Sequence, residues 1–514
     1  MRLLRPLVFF VIAALALVGA VHGARAATAD TLGAEGARHL LTRTGFGATP
    51  SEIARYAPLT REDAVERILA ATRTLPVLAP PAFATAGGPL PRPGPNASAE
   101  DRKTYVREQA RDTLALRGWW IDEMLATPSP LTERMTLFWH NHFVSSQQKV
   151  RPARLMYAQN ATFRRYAVGD FRALLHAAAK DPAMEVYLDT VQNRKGAPNE
   201  NFAREVMELF TLGEGHYIEQ DVKEAARAFT GWSIDRDTGA FVFRPRLHDD
   251  GSKTIFGQRG DFDGDAVLDL ILARPDTARF VVQKLWLEFV SPQPDAQAVA
   301  RIAGRFRASG YDIKVALRGL LLDPAFWAPA DRGTLVKSPV ELVVGTLHTL
   351  ELAPPDGLPY ALAAAGMGQN LFAPPNVKGW PGGDRWINAT TLLARKQFLA
   401  RLARAIPAPT APMDAAPVAS MTSMPATAAA NDAVTTLQQR AARSVERALA
   451  RIALDAGTWV AAQPGNDVPA KLAFAQNVLL PLAPVTGDVA EARAQRDPVL
   501  FVRAALLDPV YELK

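Results

Sequence analysis

Three polar clusters in this 514-residue chain carry side chains that do chemistry. The first is Trp139-His140-Asn141-His142-Phe143. On an extended segment His140 and His142 share a face and could hold one metal ion. On a helix continuing from Leu131 they stand on nearly opposite sides, since each residue turns the helix by about 100°. His142 then joins Leu131, Met135 and Phe138 on an apolar stripe, and His140 shares a side with Glu133. The ordinary reading is a helix end with one buried, hydrogen-bonded histidine.

The second cluster is Asn199-Glu200-Asn201-Phe202-Ala203-Arg204-Glu205-Val206-Met207-Glu208-Leu209-Phe210. On a helix wheel Glu200, Asn201, Arg204, Glu205 and Glu208 form one stripe and the apolar residues the other, as on any surface helix. Glu200 and Arg204 are spaced to pair. A solvated face is the default, and the competing reading lays the stripe along a cleft. There Glu205 and Glu208 would bind a divalent cation or transfer protons. The third cluster is His248-Asp249-Asp250-Gly251-Ser252-Lys253, followed by Asp261-Phe262-Asp263-Gly264-Asp265. The latter piece fails as an EF-hand loop. Its glycine comes too early, and Leu272 stands where the bidentate glutamate belongs. Asp263 or Asp265 instead fits the start of a helix. Nucleophile-elbow, P-loop, His-Glu-x-x-His and dinucleotide fingerprints are missing from the sequence, which argues against those familiar mechanisms.

The elements that must position these clusters are mostly helical. Apolar periodicity predicts two helices within 31–70, with Thr49-Pro50-Ser51-Glu52 as a helix start. Further helices are expected at 101–126, 130–143, 152–167, 170–179, 198–212, 219–230, 265–274, 276–290, 295–308, 312–323, 337–351 and 389–405. Residues 73–98 read as an irregular loop and 232–264 as a hairpin plus loop, with Arg236-Asp237-Thr238-Gly239 at the turn. Residues 374–386 form a loop dense in Pro, Gly and Trp. The expected organisation is a main helical domain over 27–405, an Ala/Pro-rich linker or loop over 406–431, and a helical C-terminal segment over 432–514 packing on it. Helices there are expected at 433–452, 469–480 and 498–508. The fold class is mainly α, a large multi-helix globular domain with a small β-hairpin insertion and a helical C-terminal extension.

At the N-terminus, Arg2 and Arg5 precede an apolar run from Leu7 to Val21, and Ala24-Arg25-Ala26 supplies small residues for cleavage. Residues 1–26 read as a secretory signal peptide, which predicts a periplasmic or secreted protein with no membrane span after cleavage. Half of the +6 net charge leaves with that leader, so nothing points to nucleic acid. The absence of cysteine excludes disulfides and thiolate metal sites.

Several ordered pieces resemble the bacterial family catalogued as domain of unknown function 1800. They are His39–Gly47, Trp139–Phe143, Asn199–Gly213, Ala225–Trp232, His248–Gly257, Gly264–Leu272, Lys337–Glu341, and Pro374–Gly383 with Trp386-Ile387-Asn388. The resemblance implies an exported, mostly helical protein, with an exported sulfatase-like protein as partner. It carries no established catalytic residues. The functional expectation is a periplasmic enzyme acting on a cell-envelope or extracellular glycan, by acid/base chemistry or with a divalent metal at His140 and His142. Glu205, Glu208, His248 and Lys253 are its candidate catalytic residues. Trp139, Asn199, Asn201, Arg204, Trp380, Trp386 and Asn388 would bind substrate by stacking and hydrogen bonds. The alternative is a non-catalytic helical scaffold for another exported protein.

Overall fold

The computed structural model describes residues 31–86, 88–90, 92–94, 96–235, 237–405, 443–448 and 454–514. The expected leader, the 406–431 linker and most of the 433–452 helix lie outside these residues; within that last stretch, 443–448 are helical.

The N-terminal half begins with α1 (Gly33–Thr44), α2 (Pro50–Tyr56), α3 (Arg61–Ala70), a short α4 (Ala82–Thr85) and the long α5 (Ala99–Ala126). The expected pair within 31–70 is therefore three helices. Thr60 makes the extra break, its side chain accepting from the Asp63 backbone N–H at 3.1 Å. Thr49 and Glu52 form the capping box that their spacing predicts. There follow α6 (Pro130–His142), α7 (Ala153–Arg165), α8 (Phe171–Ala179), α9 (Pro182–Tyr187), α10 (Asn201–Glu208) and α11 (Glu219–Ala228). Helix α10 stops well short of residue 212. Phe210 N–H bonds back to Glu205 O and Leu212 N–H to Met207 O, wide five-residue turns that unwind it toward Gly213.

The hairpin expected after residue 231 is present. Strands β1 (Trp232–Ile234) and β2 (Phe241–Phe243) pair antiparallel, with Trp232 opposite Phe243. A second hairpin, β3 (Lys253–Ile255) with β4 (Gln258–Gly260), occupies what reads as plain loop. Its turn places Phe256 and Gly257 at positive φ, and only the glycine announces it.

The remaining helices are α12 (Gly264–Ala273), α13 (Pro275–Phe289), α14 (Ala296–Ala308), α15 (Ile313–Leu321), α16 (Pro324–Trp327), α17 (Pro339–Thr349), α18 (Leu358–Gly366) and α19 (Ala389–Ala405). The C-terminal part adds α20 (Ala456–Ala461), α21 (Val468–Leu479), α22 (Gly487–Gln495) and α23 (Pro498–Leu507). Asp263 caps α12, accepting from Ala266 N–H at 2.9 Å. The Asp-Pro pairs at 323 and 508 do more than stop helices. Each aspartate also caps the next short turn, through Ala325 N–H at 3.0 Å and Val510 N–H at 2.9 Å.

Helix α6 lies between two hydrophobic cores. Leu131, Met135, Phe138 and Trp139 enter one, which also holds Phe163, Phe171, Phe202, Phe229 and Phe306. Leu137 enters the other, with Trp120, Tyr360, Phe372, Phe501 and Tyr511. A helix buried on nearly every side has little solvent face on which to put its polar residues, so Glu133, Arg134, His140 and His142 are buried as well. The C-terminal segment closes on this body. Helix α23 packs on α19, α21 packs on α1, and residues 512–514 pair antiparallel with 335–337 through Lys337 N–H to Glu512 O and Lys514 N–H to Leu335 O, both 2.8 Å.

Candidate functional site: a cation-rimmed cleft at the end of helix α6

A cleft of about 340 Å³ opens along one face of α6. Arg134, Leu137, Phe138, Asn141 and His142 line it, residues spaced three and four apart that share a helix face. Helix α13 contributes Lys284, Leu287 and Glu288, and the start of α17 contributes Ser338 and Glu341. The 378–386 loop supplies Lys378, Gly382, Gly383, Asp384, Arg385 and Trp386, and the pairing of 512–514 with 335–337 brings in Lys514.

The floor is a buried ion network. Arg134 Nη1 lies 2.7 Å from Glu341 Oε1, while Nη2 meets Glu288. The Lys514 ammonium sits against Glu341 and 3.9 Å from Glu288. Glu341 also closes the α17 capping box, accepting from Ser338 N–H at 2.8 Å. Burial works to raise the Glu341 carboxyl, but the Arg134 and Lys514 charges outweigh it and hold the group well below its usual range.

The loop over the cleft is held by one residue of the first cluster. Asn141 Oδ1 accepts the Trp380 backbone N–H at 2.6 Å. Gly379 has φ +87°, and a Cβ there would stand 2.2 Å from Asn141 Oδ1. Only glycine allows both the backbone angle and the close approach. The anchored loop sets Lys378 and Arg385, both exposed, at the rim, and neither forms an ion pair within 4 Å among the described residues. Five lysines and arginines line the cleft against three acidic residues. Lys284 donates to Leu209 O at 3.1 Å and lies over the Phe280 ring, and burial pushes its ammonium down to about 8.

His142 is the chemically open group. Its Nε2 lies 2.9 Å from the Phe210 carbonyl. A carbonyl only accepts, so Nε2 carries the proton and Nδ1 the lone pair. Nδ1 is buried without a hydrogen-bond partner among the described residues. Burial and the Lys284 charge keep the imidazole neutral by lowering it well below its ordinary value. Both oppose its protonation, and an anion bound beside Lys284 would offset the second of these and raise its basicity.

Of the residues singled out in the sequence, the cleft gathers His142 and Trp386. Glu205 stands near it. Burial and neighbouring Glu208 raise the Glu205 carboxyl, while Arg204 and the cleft residue Lys378 pull it back. Glu208 accepts from Tyr217 Oη at 2.7 Å. Arg204 is held by Glu219 at 2.6 Å and Glu200 at 3.1 Å, the solvated-face pairing of an ordinary helix.

The rest sit elsewhere. His140 faces away from His142 and cannot share an ion with it. Its Nε2 lies 3.2 Å from Asn160 Nδ2, among Trp120, Phe163 and Phe372. Burial takes that imidazole down to about 3. Asn160 binds Arg164, and Arg164 pairs with Glu133 at 2.6 Å, so the side His140 shares with Glu133 is a buried polar network. Trp139 is fully buried, its indole N–H donating to Ala167 O at 2.8 Å, so it cannot stack on a substrate. Trp380 is buried within the 374–386 loop, which Asn141 holds through the Trp380 backbone N–H. Asn388 caps α19, bonding Thr391 N–H at 3.0 Å. Asn199 and Asn201 shape the entry to α10, where Asn199 Oδ1 accepts Asn201 N–H at 3.0 Å.

The Asp-Gly cluster is a self-contained staple. His248 Nδ1 donates to Thr230 O at 2.8 Å. Asp249 pairs with Arg227 at 2.9 Å. Lys253 is buried with its ammonium spent on the Asp249 and Gly251 carbonyls, at 2.6 and 2.9 Å. Neither His248 nor Lys253 lines the cleft. Among the described residues no three histidine, aspartate or glutamate side chains gather as a metal-ligand group, and no helix is long and apolar enough to cross a membrane.

Sequence reasoning missed Asn141, Arg134, Lys284, Glu288, Lys378, Arg385 and Lys514 as site residues. Asn141 and Arg134 were findable, since both neighbour Phe138 of the His142 stripe at spacings of three and four. Glu288 and Lys514 were not, because only tertiary pairing brings them there.

Fold and cleft together define a mainly helical protein with a cation-rimmed cavity where the 139–143, 337–341 and 374–386 segments converge. The chain belongs to the family described as Protein of unknown function (DUF1800), whose model matches residues 39–475. Neither the curated proteins nor the solved structures gave a significant match.

Proposed function

We propose that the cleft is an acid/base site for an anionic glycan. Its substrate class is a saccharide bearing a carboxylate or sulfate ester. The observation that carries this reading is the pairing of His142, neutral and with Nδ1 uncommitted, with the rim cations Lys378 and Arg385. Lys378, Arg385 and Lys284 hold the negative group and stabilise charge that develops beside it. Trp386, which lines the cleft, offers apolar contact to a sugar ring. His142 takes a proton from the water that attacks the anomeric carbon, and Glu205, whose carboxyl is shifted upward, gives one to the glycosidic oxygen as its bond to that carbon breaks. The cavity volume suits one or two sugar rings. The leader over residues 1–26 supports an extracytoplasmic location, and the exported sulfatase-like partner implied by the resemblance would work on the same acidic class of glycan.

Incubation of the full chain with a panel of uronate-containing and sulfated oligosaccharides, followed by mass spectrometry, tests the proposal. At least one is expected to be converted, and His142→Ala is expected to slow that conversion by about 100-fold or more. No product from any acidic glycan, or equal rates in the variant, overturns it.

A further inference from the structure

Away from the cleft, a set of buried oxygen atoms has no partners. Glu185 on α9 is fully buried, and both its carboxylate oxygens lack a hydrogen bond among the described residues. Asp181, one turn earlier and also buried, caps α9 through Ala183 N–H at 3.0 Å and Met184 N–H at 3.2 Å. Gln159 on α7 donates through Nε2 to Asp181 Oδ1 at 2.8 Å and lies 3.0 Å from Ser145 Oγ, yet its own Oε1 is buried without a partner. The hydroxyl oxygens of Ser146 and Thr190 are buried and unpartnered as well. The Lys149–Asp189 ion pair at 2.6 Å ties the 145–149 turn to the turn carrying Thr190. Four segments are thus tied together: α7 and α9 directly through Gln159 and Asp181, the 145–149 turn through Ser145, and the turn carrying Thr190 through Asp189.

Such a set is out of balance by itself. Carboxylates and amide oxygens only accept, and a buried acceptor with no donor or cation keeps its full desolvation cost. No lysine, arginine or histidine forms an ion pair with Asp181 or Glu185 within 4 Å among the described residues. Burial pushes both carboxyls upward, Asp181 to about 7, and the neighbouring Asp181 charge adds to the rise at Glu185. A hard cation removes the imbalance, because an all-oxygen set with no sulfur or imidazole suits calcium or magnesium.

We infer that Asp181, Glu185 and Gln159, with the Ser146 and Thr190 hydroxyls, form a buried site for a divalent hard cation, calcium first. The ion locks α7, α9 and the 189–193 turn together and lies apart from the cleft. The test uses the full chain purified without chelator. Elemental analysis should find about one equivalent of calcium or magnesium per chain. Chelation should lower Tm by several degrees, and calcium chloride should restore it. Glu185→Gln and Gln159→Leu should remove the calcium-dependent shift, whereas Asp250→Asn, an exposed control, should keep it. A native protein with no stoichiometric ion, whose Tm ignores both chelator and calcium, overturns the inference and leaves water or a protonated carboxyl as the occupant. If Glu185→Gln does not fold, the metal content and chelator response of the native chain still decide.

Discussion

At the scale of single residues, the two histidines of the first cluster have opposite fates, and helix geometry explains both. His140 turns into an aromatic interior, while His142 turns toward the cleft. His140 gives the clearest pH prediction. The unfolded imidazole takes a proton as pH falls through about 6.5, whereas the folded one does not until about 3. The unfolded state therefore binds more protons in that window, and acidification favours unfolding. Chemical denaturation at pH 7 and pH 5 should show the stability advantage of the native chain over His140→Gln shrinking by about 2 kcal/mol at the lower pH. A constant gap would mean that the histidine is not held neutral by burial. At the rim, Lys378→Ala and Arg385→Ala should each weaken binding of an acidic oligosaccharide by about tenfold, the worth of one charged hydrogen bond. Titration calorimetry measures this, and the loss should diminish as salt rises. Helix periodicity made the His142 stripe legible in the sequence. It did not reveal that the stripe ends on an open cavity rather than on packed core, because that depends on what α13 and α17 place opposite.

Among the elements, the loop over the cleft depends on one close approach. Gly379→Ala asks an L side chain to take a left-handed backbone and to overlap Asn141. It should cost about 1–3 kcal/mol in denaturant unfolding and should weaken acidic-ligand binding together with stability. A variant that unfolds like the native chain and binds normally would contradict the anchoring role of Asn141. Most helices were legible from apolar periodicity and caps, as with the Thr49 box and the Asp263 cap. The hairpin at 253–260 was not, since its second strand, Gln258-Arg259-Gly260, has no aromatic or β-branched residue of the kind that marks Phe241-Val242-Phe243. Helix α10 was read too long because its apolar pattern continues to Phe210, whereas the backbone unwinds after Glu208. The polar residues of the Asp-Gly loop read as chemistry from sequence. In the fold they are spent on backbone carbonyls and Arg227, which sequence spacing cannot disclose.

Over the whole molecule, the C-terminal residues complete the site. Residues 512–514 pair with 335–337, and Lys514 reaches the Arg134–Glu341–Glu288 network, so the far end of the chain and the middle share one buried ion cluster. Removing one partner strands the others: Glu341→Gln leaves Arg134 and Lys514 with an unbalanced buried charge. Equilibrium unfolding should show a loss of about 3–5 kcal/mol, and a loss below 1 kcal/mol would mean that water enters the cluster. The same cluster makes the cleft floor electrostatically rigid, with the rim cations free to meet a ligand. The most direct measurement is calorimetric titration of a sulfated or uronate tetrasaccharide into the full chain and into the Lys378→Ala/Arg385→Ala double variant, each at low and high salt. One site per chain is expected in the native protein, weakened by salt and abolished in the double variant. Absence of binding, or binding indifferent to both salt and substitution, would contradict it.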